Sequence, residues 1–199
     1  MAQGYFETVE PKENSIINFA WDVLFHIGVR INEETMLRGW MFTLCARGIR
    51  PTALHCFDES IADTFAIAMS ILLQSTFFAM MHYHSPGSTS ISLINLFIGG
   101  AAASFNNPRK LGLGMGWHFG WNIAMGHVHG MSTSGIPMSC AVFNVIPRRA
   151  KSFEKLHGGT FGPEHGVLAP LSYVLGMCMV TSVYGLNRLM DFGGSKLSQ

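Results

Sequence analysis

Residues 62–82 read ADTFAIAMSILLQSTFFAMMH, and this stretch decides the fold. Asp63 is its only charged residue. About 20 predominantly apolar residues suffice for a helix to cross the hydrocarbon of a bilayer, so the stretch predicts a membrane-spanning helix. The composition agrees: charged residues make up 13% of the 199 and hydrophobic residues 48%, against about 25% charged in soluble domains. Mean hydropathy is +0.27. Net charge is +1, and the basic residues are scattered or in short pairs (Arg109-Lys110, Arg148-Arg149), so no nucleic-acid surface is indicated. The four cysteines are far apart and form no CxxC, which excludes a zinc ribbon or a thioredoxin motif.

On the N-terminal side, residues 1–14 read as a polar tail without the basic flank and apolar core of a signal peptide. Residues 15–32 mix Asp22, His26 and Arg30 with Phe19, Trp21, Leu24 and Phe25, and predict an interfacial or bundle-facing helix. The helix that follows is expected to end at Arg47, Gly48, Arg50 and Pro51. On the C-terminal side come a turn at 85–90, a short apolar helix at 91–105, a turn at 106–110 and a glycine-rich helix at 111–131. Residues 132–165 read mostly as loop, with an apolar piece at 136–146, and 166–190 as a last apolar helix. The expected fold is an all-α polytopic membrane bundle of about four to five membrane helices, one domain over 15–199. The positive-inside rule places Arg47, Arg50, Arg109 and Lys110 in the cytoplasm if 62–82 and 91–105 both span. Arg148, Arg149 and Lys151 would then fall on the opposite side unless 136–146 dips back into the membrane.

Three polar motifs interrupt the apolar stretches: Glu33-Glu34-x-x-x-Arg38, Phe78-x-x-x-His82 and His118-x-x-x-Asn122. Ionisable side chains are costly inside a membrane, so each is a functional candidate. Glu34 and Arg38 lie one turn apart on one helix face and can pair, while Glu33 points roughly a quarter-turn away. An ordinary surface ion pair would explain the first motif alone, and an interfacial histidine the second. Gly112, Gly116 and Gly120 form a stripe roughly opposite His118 and Asn122, expected to let a neighbouring helix approach closely. His127 and His129, spaced i and i+2, point apart and make a poor metal pair. A helix–helix hydrogen bond would explain one motif easily and all three poorly.

The chemistry that uses such groups is peptide hydrolysis. A carboxylate in a dry pocket can serve as general base for a water, and a His–Asn pair can supply two donors to an oxyanion. A metal reading stands beside it: Glu33, His82 and His118 could hold zinc with an open water position. HExxH is absent.

EE-x-x-x-RG (Glu33–Gly39), F-x-x-x-H and H-x-x-x-N occur in the order found in the CAAX prenyl protease and bacteriocin-processing (CPBP) family of intramembrane proteases, which the chain resembles over roughly residues 25–190. His-Phe-Gly-Trp-Asn (118–122), the run at 125–130, Ser134-Gly135 and Phe161–Gly166 resemble the family's context; Glu164-His165-Gly166 has a histidine where glycine is common. The resemblance implies Glu33 as the water-activating base with His82 beside it, Glu34 and Arg38 as a supporting ion pair, and His118 and Asn122 as the oxyanion pair. Both a metal-free glutamate mechanism and a zinc mechanism are known readings of the family. Members usually carry more transmembrane helices before the Glu-Glu motif, so a fragment or a minimal form is expected here.

The resemblance thus implies an integral membrane endopeptidase, of the bacterial plasma membrane, acting on a membrane-associated peptide or protein. Its rivals are a non-catalytic membrane binding or bacteriocin self-immunity protein, and a small transporter with a proton relay. No inverted repeat in the hydropathy supports the transporter. The protease reading expects Glu33, His82, His118 and Asn122 to converge on one cavity.

Overall fold

The computed structural model describes residues 6–9, 16–105, 111–138, 140–147 and 155–184. The turn at 106–110, the basic cluster Arg148, Arg149 and Lys151, and the end of the last helix beyond 184 lie outside the described residues. Helices dominate. α1 (Ile16–Glu34) runs without a break through a π-helical stretch, Thr35–Met41, into α2 (Phe42–Ala53). α3 (Glu59–Met81), α4 (Ser90–Phe105) and α5 (Leu111–Asn122) follow, and α5 continues as a second π-helical stretch, Ile123–Val128. A 3-10 turn at Pro163–His165 precedes α6 (Leu168–Tyr184). A short antiparallel ribbon stands apart from the all-α expectation: β1 (Phe6–Val9) pairs with β2 (Asn144–Pro147), Phe6 opposite Pro147. The stretch read as a polar tail therefore holds a strand, and the apolar piece at 136–146 ends in its partner.

α3 is the one described helix long and apolar enough to cross a membrane; α4 and α6 are shorter apolar helices. Its 23 residues span roughly 34 Å at 1.5 Å each, against a hydrocarbon core of about 30 Å. Asp58 caps its N-terminus by accepting from the Ile61 N–H at 3.0 Å. Arg50 near the end of α2 reaches both Asp63 and Glu59, closing the α2–α3 hairpin. The hydrogen bond to Asp63 raises the Arg50 pKa further above its ordinary value. α2 runs past its expected end to Ala53, with Pro51 inside its last turn.

The polarity of α3 is inverted relative to a soluble core helix. Apart from Phe78, its buried face is small or polar (Ala62, Ala66, Ser70, Gln74, Ser75, Ala79), whereas Phe65, Leu72, Phe77 and Met80 are exposed. Large apolar side chains outside and hydrogen-bonding groups inside suit a lipid surround, because water would penalise that outer surface. Gln74 Nε2 donates to Ser104 Oγ at 2.6 Å and to the Gly100 carbonyl at 3.3 Å, which ties α3 to α4. Leu37, Phe78, Ala79, Leu96 and Phe161 form the apolar core between the π turn, α3, α4 and the loop before α6.

The glycine stripe on α5 does not serve as expected. Among the described residues, a Cβ at Gly112, Gly116 or Gly120 would meet nothing within 4 Å. The close approaches fall elsewhere: a Cβ at Gly176 of α6 would collide with the Trp117 ring, and one at Gly99 of α4 with the Tyr173 ring.

Candidate active site

The last turns of α1 and α5 bring the polar motifs together. Arg30, Glu33 and Glu34 lie within four residues on α1, and the π-helical stretch that starts at Thr35 keeps Arg38 facing back toward Glu34. Arg38 Nη1 donates to Glu34 Oε1 at 3.0 Å, with both side chains almost wholly buried. From α5, His118 Nδ1 lies 2.8 Å from the same Oε1. The second π-helical stretch starts just after Asn122. Both wide turns thus begin next to a motif residue, a placement common at functional sites.

Arg30 is the hub, and the sequence reading gave it no role. Its Nη1 donates to Glu33 Oε2 at 2.5 Å and lies 2.9 Å from His118 Nε2. With its amide turned so that oxygen faces the guanidinium, Asn122 accepts from Arg30 Nε at 2.6 Å and also from Nη2. A guanidinium only donates, so His118 Nε2 accepts from it. The His118 proton then sits on Nδ1 and is donated to Glu34. Glu33, His118 and Asn122 are therefore held around one cation, with Glu33 Oε2 3.9 Å from His118 Nε2. Spacing carried a signal: Arg30 precedes Glu33 and Glu34 by three and four residues, the separations that share a helix face.

His82 stands apart from this group. Its Nδ1 is 2.9 Å from the Phe78 carbonyl, an acceptor, so Nδ1 carries the proton and Nε2 the lone pair. Between it and the network stands the Phe78 ring, 5.0 Å from His82 and 5.9 Å from His118 by centroids, with Arg38 stacked over it at 4.8 Å. No described hydrogen bond joins His82 to either glutamate.

A small cavity lies beside the network and is lined by Glu34, Arg38, His118, Trp121, Glu164 and Tyr173 among others. Glu33, His82 and Asn122 do not line it. Of the four residues expected to converge on one cavity, only His118 lines it; Arg30 joins Glu33 and Asn122 to His118 away from the cavity, and His82 stays apart. The sequence reading also gave Glu164 no role. Its Oε2 accepts from the Ser134 N–H at 2.9 Å and from Ser134 Oγ at 2.6 Å. Ser134 has a positive φ of 49°, costly for a residue other than glycine, and the carboxylate holds it there. Asn95 Nδ2 clasps the carbonyls of Glu164 and Gly166 at 2.9 and 3.0 Å, fixing this turn to α4.

The zinc set does not assemble. Among the described residues no three His, Cys, Asp or Glu side chains are placed to hold a metal ion. The cause is local: the Arg30 guanidinium occupies the space between Glu33 and His118, and His82 turns Nδ1 to its own helix behind Phe78.

A comparison with protein families matches residues 15–124 to the family described as "Type II CAAX prenyl endopeptidase Rce1-like". Neither the curated proteins nor the solved structures give a match. The matched span covers more than half of the chain and contains all three polar motifs together with Arg30. The chain belongs to the type II CAAX prenyl endopeptidase Rce1-like family, a membrane-embedded family of endopeptidases.

Proposed function

We propose that this chain hydrolyses a peptide bond in a membrane-associated peptide or protein, at a site inside its helix bundle. The supporting observation is the single network that joins Glu33, Glu34, Arg38, His118 and Asn122 through Arg30, against a cavity within an apolar bundle. Glu33 is the base for water. Its side chain keeps 12% exposure, whereas Glu34 keeps none and shares Oε1 between Arg38 and His118. Glu34 and Arg38 support the site. His118 and Asn122 hold the developing oxyanion once substrate displaces Arg30 from them, the imidazole taking a second proton on Nε2 and the Asn122 amide turning its N–H to the oxygen, and His82 assists Glu33 after a shift past Phe78.

α3, α4, α5 with its π-helical extension, and α6 make up four membrane helices, and α1 a fifth. Exposed apolar residues on α1 (Trp21, Leu24, Phe25) and α6 (Leu171, Leu175, Met179) support this reading. The substrate class is a peptide presented from the bilayer, of which a prenylated CAAX tail is the example in the family's description.

The test is cleavage of a quenched peptide panel by detergent-purified protein, wild type beside Glu33→Gln. Turnover by wild type that disappears in the variant, with the same thermal midpoint, supports the assignment. Equal turnover by both removes Glu33 from it. Folded wild type that cleaves neither apolar nor prenylated peptides favours the non-catalytic binding or self-immunity reading.

A further inference from the structure

The packing of α1 against the α5 side has a second polar layer, one turn from Arg30. His26 precedes Arg30 by four residues and shares its helix face. His127 lies in the π-helical stretch that continues α5 past Asn122. The two rings meet edge to face, 5.2 Å apart by centroids. Phe25 packs edge-on against His26 at 5.6 Å, and Phe19 against His127 at 5.4 Å. His26 is 6% exposed and His127 is fully buried.

Both rings fit as neutral imidazoles. His127 Nδ1 faces the Cys140 carbonyl at 3.4 Å, so it carries the proton and Nε2 the lone pair. A second proton would go to Nε2, which is buried and meets no acceptor among the described residues. His26 Nδ1 is buried in the same way, so a doubly protonated ring would leave an N–H unpaired there. The charged and titratable groups facing His26 are Arg30, Asp22 and Glu33 on its own helix and His127 across the junction. Arg30 is buried and opposes a second cation one turn away. Of the carboxylates, Glu33 is already committed to Arg30. Asp22 is only half-buried, so its pull is diluted by the higher dielectric outside. Burying a charge without a hydrogen-bonded partner is costly.

We propose that the His26–His127 contact is an acid-sensitive latch. Neutral rings hold α1 in place, and with it Arg30 against His118 and Asn122. Protonation releases α1, the rings charge in a wetter place, and the network opens. The released state binds protons that the closed state does not, so acid favours release below the ordinary histidine value of about 6.5. The latch acts on the network whatever the network does chemically, so it stands or falls apart from the endopeptidase reading.

The test is amide hydrogen exchange on the full-length protein in detergent micelles at pH 7.5 and 5.5. Rates are corrected for the chemical effect of pH, and α1 is referred to α3. A histidine that charges only in the released state raises that population about tenfold at one pH unit below 6.5. Opening of α1 in wild type should therefore rise about 100-fold for the two rings, and reverse on neutralisation. His26→Phe and His127→Phe keep an aromatic edge and cannot charge. Each should leave a rise of about tenfold, and the double variant should lose the 100-fold. His118 also faces α1, so a double variant that opens as much as wild type assigns the release to His118 and overturns the proposal. A wild type that does not open in acid overturns it as well. If the phenylalanine variants do not fold at pH 7.5, the neutral His26→Gln and His127→Gln answer by the same ratio. Failure of every neutral replacement to fold would mean that the rings are needed for more than their charge state, and the latch falls.

Discussion

Arg30 Nη1 lies 2.9 Å from His118 Nε2, and that contact fixes the protonation pattern of the site. The imidazole accepts from Arg30 and donates from Nδ1 to Glu34. Replacing Arg30 by Gln should therefore free the His118 ring and leave Glu33 as a largely buried carboxylate without its cation. Removing one partner of a buried pair costs about 3–5 kcal/mol. A misplacement of about 1 Å in a reacting group can cost 100-fold in rate. Expected are a lower thermal midpoint and at least tenfold slower peptide cleavage. Arg30→Lys should restore part of the midpoint and little of the rate, because an ammonium cannot reproduce the fork that meets both Asn122 and His118.

The two adjacent glutamates should separate by variant. Glu33→Gln removes the base and should lower kcat by about 100- to 10,000-fold with little change in midpoint, since the amide still accepts from Arg30. Glu34→Gln leaves Arg38 as a buried cation without its carboxylate, with the two side chains only 3% and 0% exposed. It should destabilise the fold by about 3–5 kcal/mol. Cleavage rates and unfolding curves measured on both proteins would distinguish base from support; a midpoint loss in Glu33→Gln and none in Glu34→Gln would reverse the two assignments.

Much of this site is legible in the sequence because ionisable groups in apolar stretches have few innocent explanations. The Glu34–Arg38 pair follows from the helical repeat alone. Arg30 is harder to read, since it sits in a weakly apolar helix where it looks like an interruption. Its partners on α5, His118 and Asn122, are more than 80 residues away in sequence, and no local rule points to them. Glu164 and Ser134 meet through two irregular loops, where tertiary contacts set the backbone. The GxxxGxxxG stripe was misleading for a related reason: the pattern permits close packing without saying which face of α5 has a neighbour. The β1–β2 ribbon joins segments far apart in the chain, Phe6–Val9 and Asn144–Pro147, and neither segment carries a strong strand pattern of its own.

Peptide cleavage should survive a strong chelator such as phenanthroline. Zinc would need Glu33, His82 and His118 to converge, and Arg30 and Phe78 separate them. Activity assayed before and after chelation, with metal content measured alongside, checks this. Loss on chelation that is restored by stoichiometric zinc would show that the three ligands rearrange to meet.

Gly176 on α6 supports the cavity from behind. A Cβ there would lie 1.8 Å from Trp117 Cη2, inside the indole. Trp117 lines the cavity beside Glu34 and also a small adjoining apolar one between α4, α5 and α6. Gly176→Ala must push the ring aside. Because Trp117 is 38% exposed, the ring can swing outward, and the stability cost should stay within about 1–3 kcal/mol for overpacking. The larger effect should be on binding, since the shared wall of both cavities moves while the Arg30 network does not. KM for peptide should rise severalfold with kcat much less affected. Gly116→Ala is the control: it lies on the exposed stripe of α5, where a Cβ meets nothing within 4 Å. It should leave KM unchanged and raise stability by roughly 0.5–1 kcal/mol through helix propensity. Equal effects of the two substitutions would mean that flexibility of the glycine-rich bundle, and not the position of Trp117, governs binding.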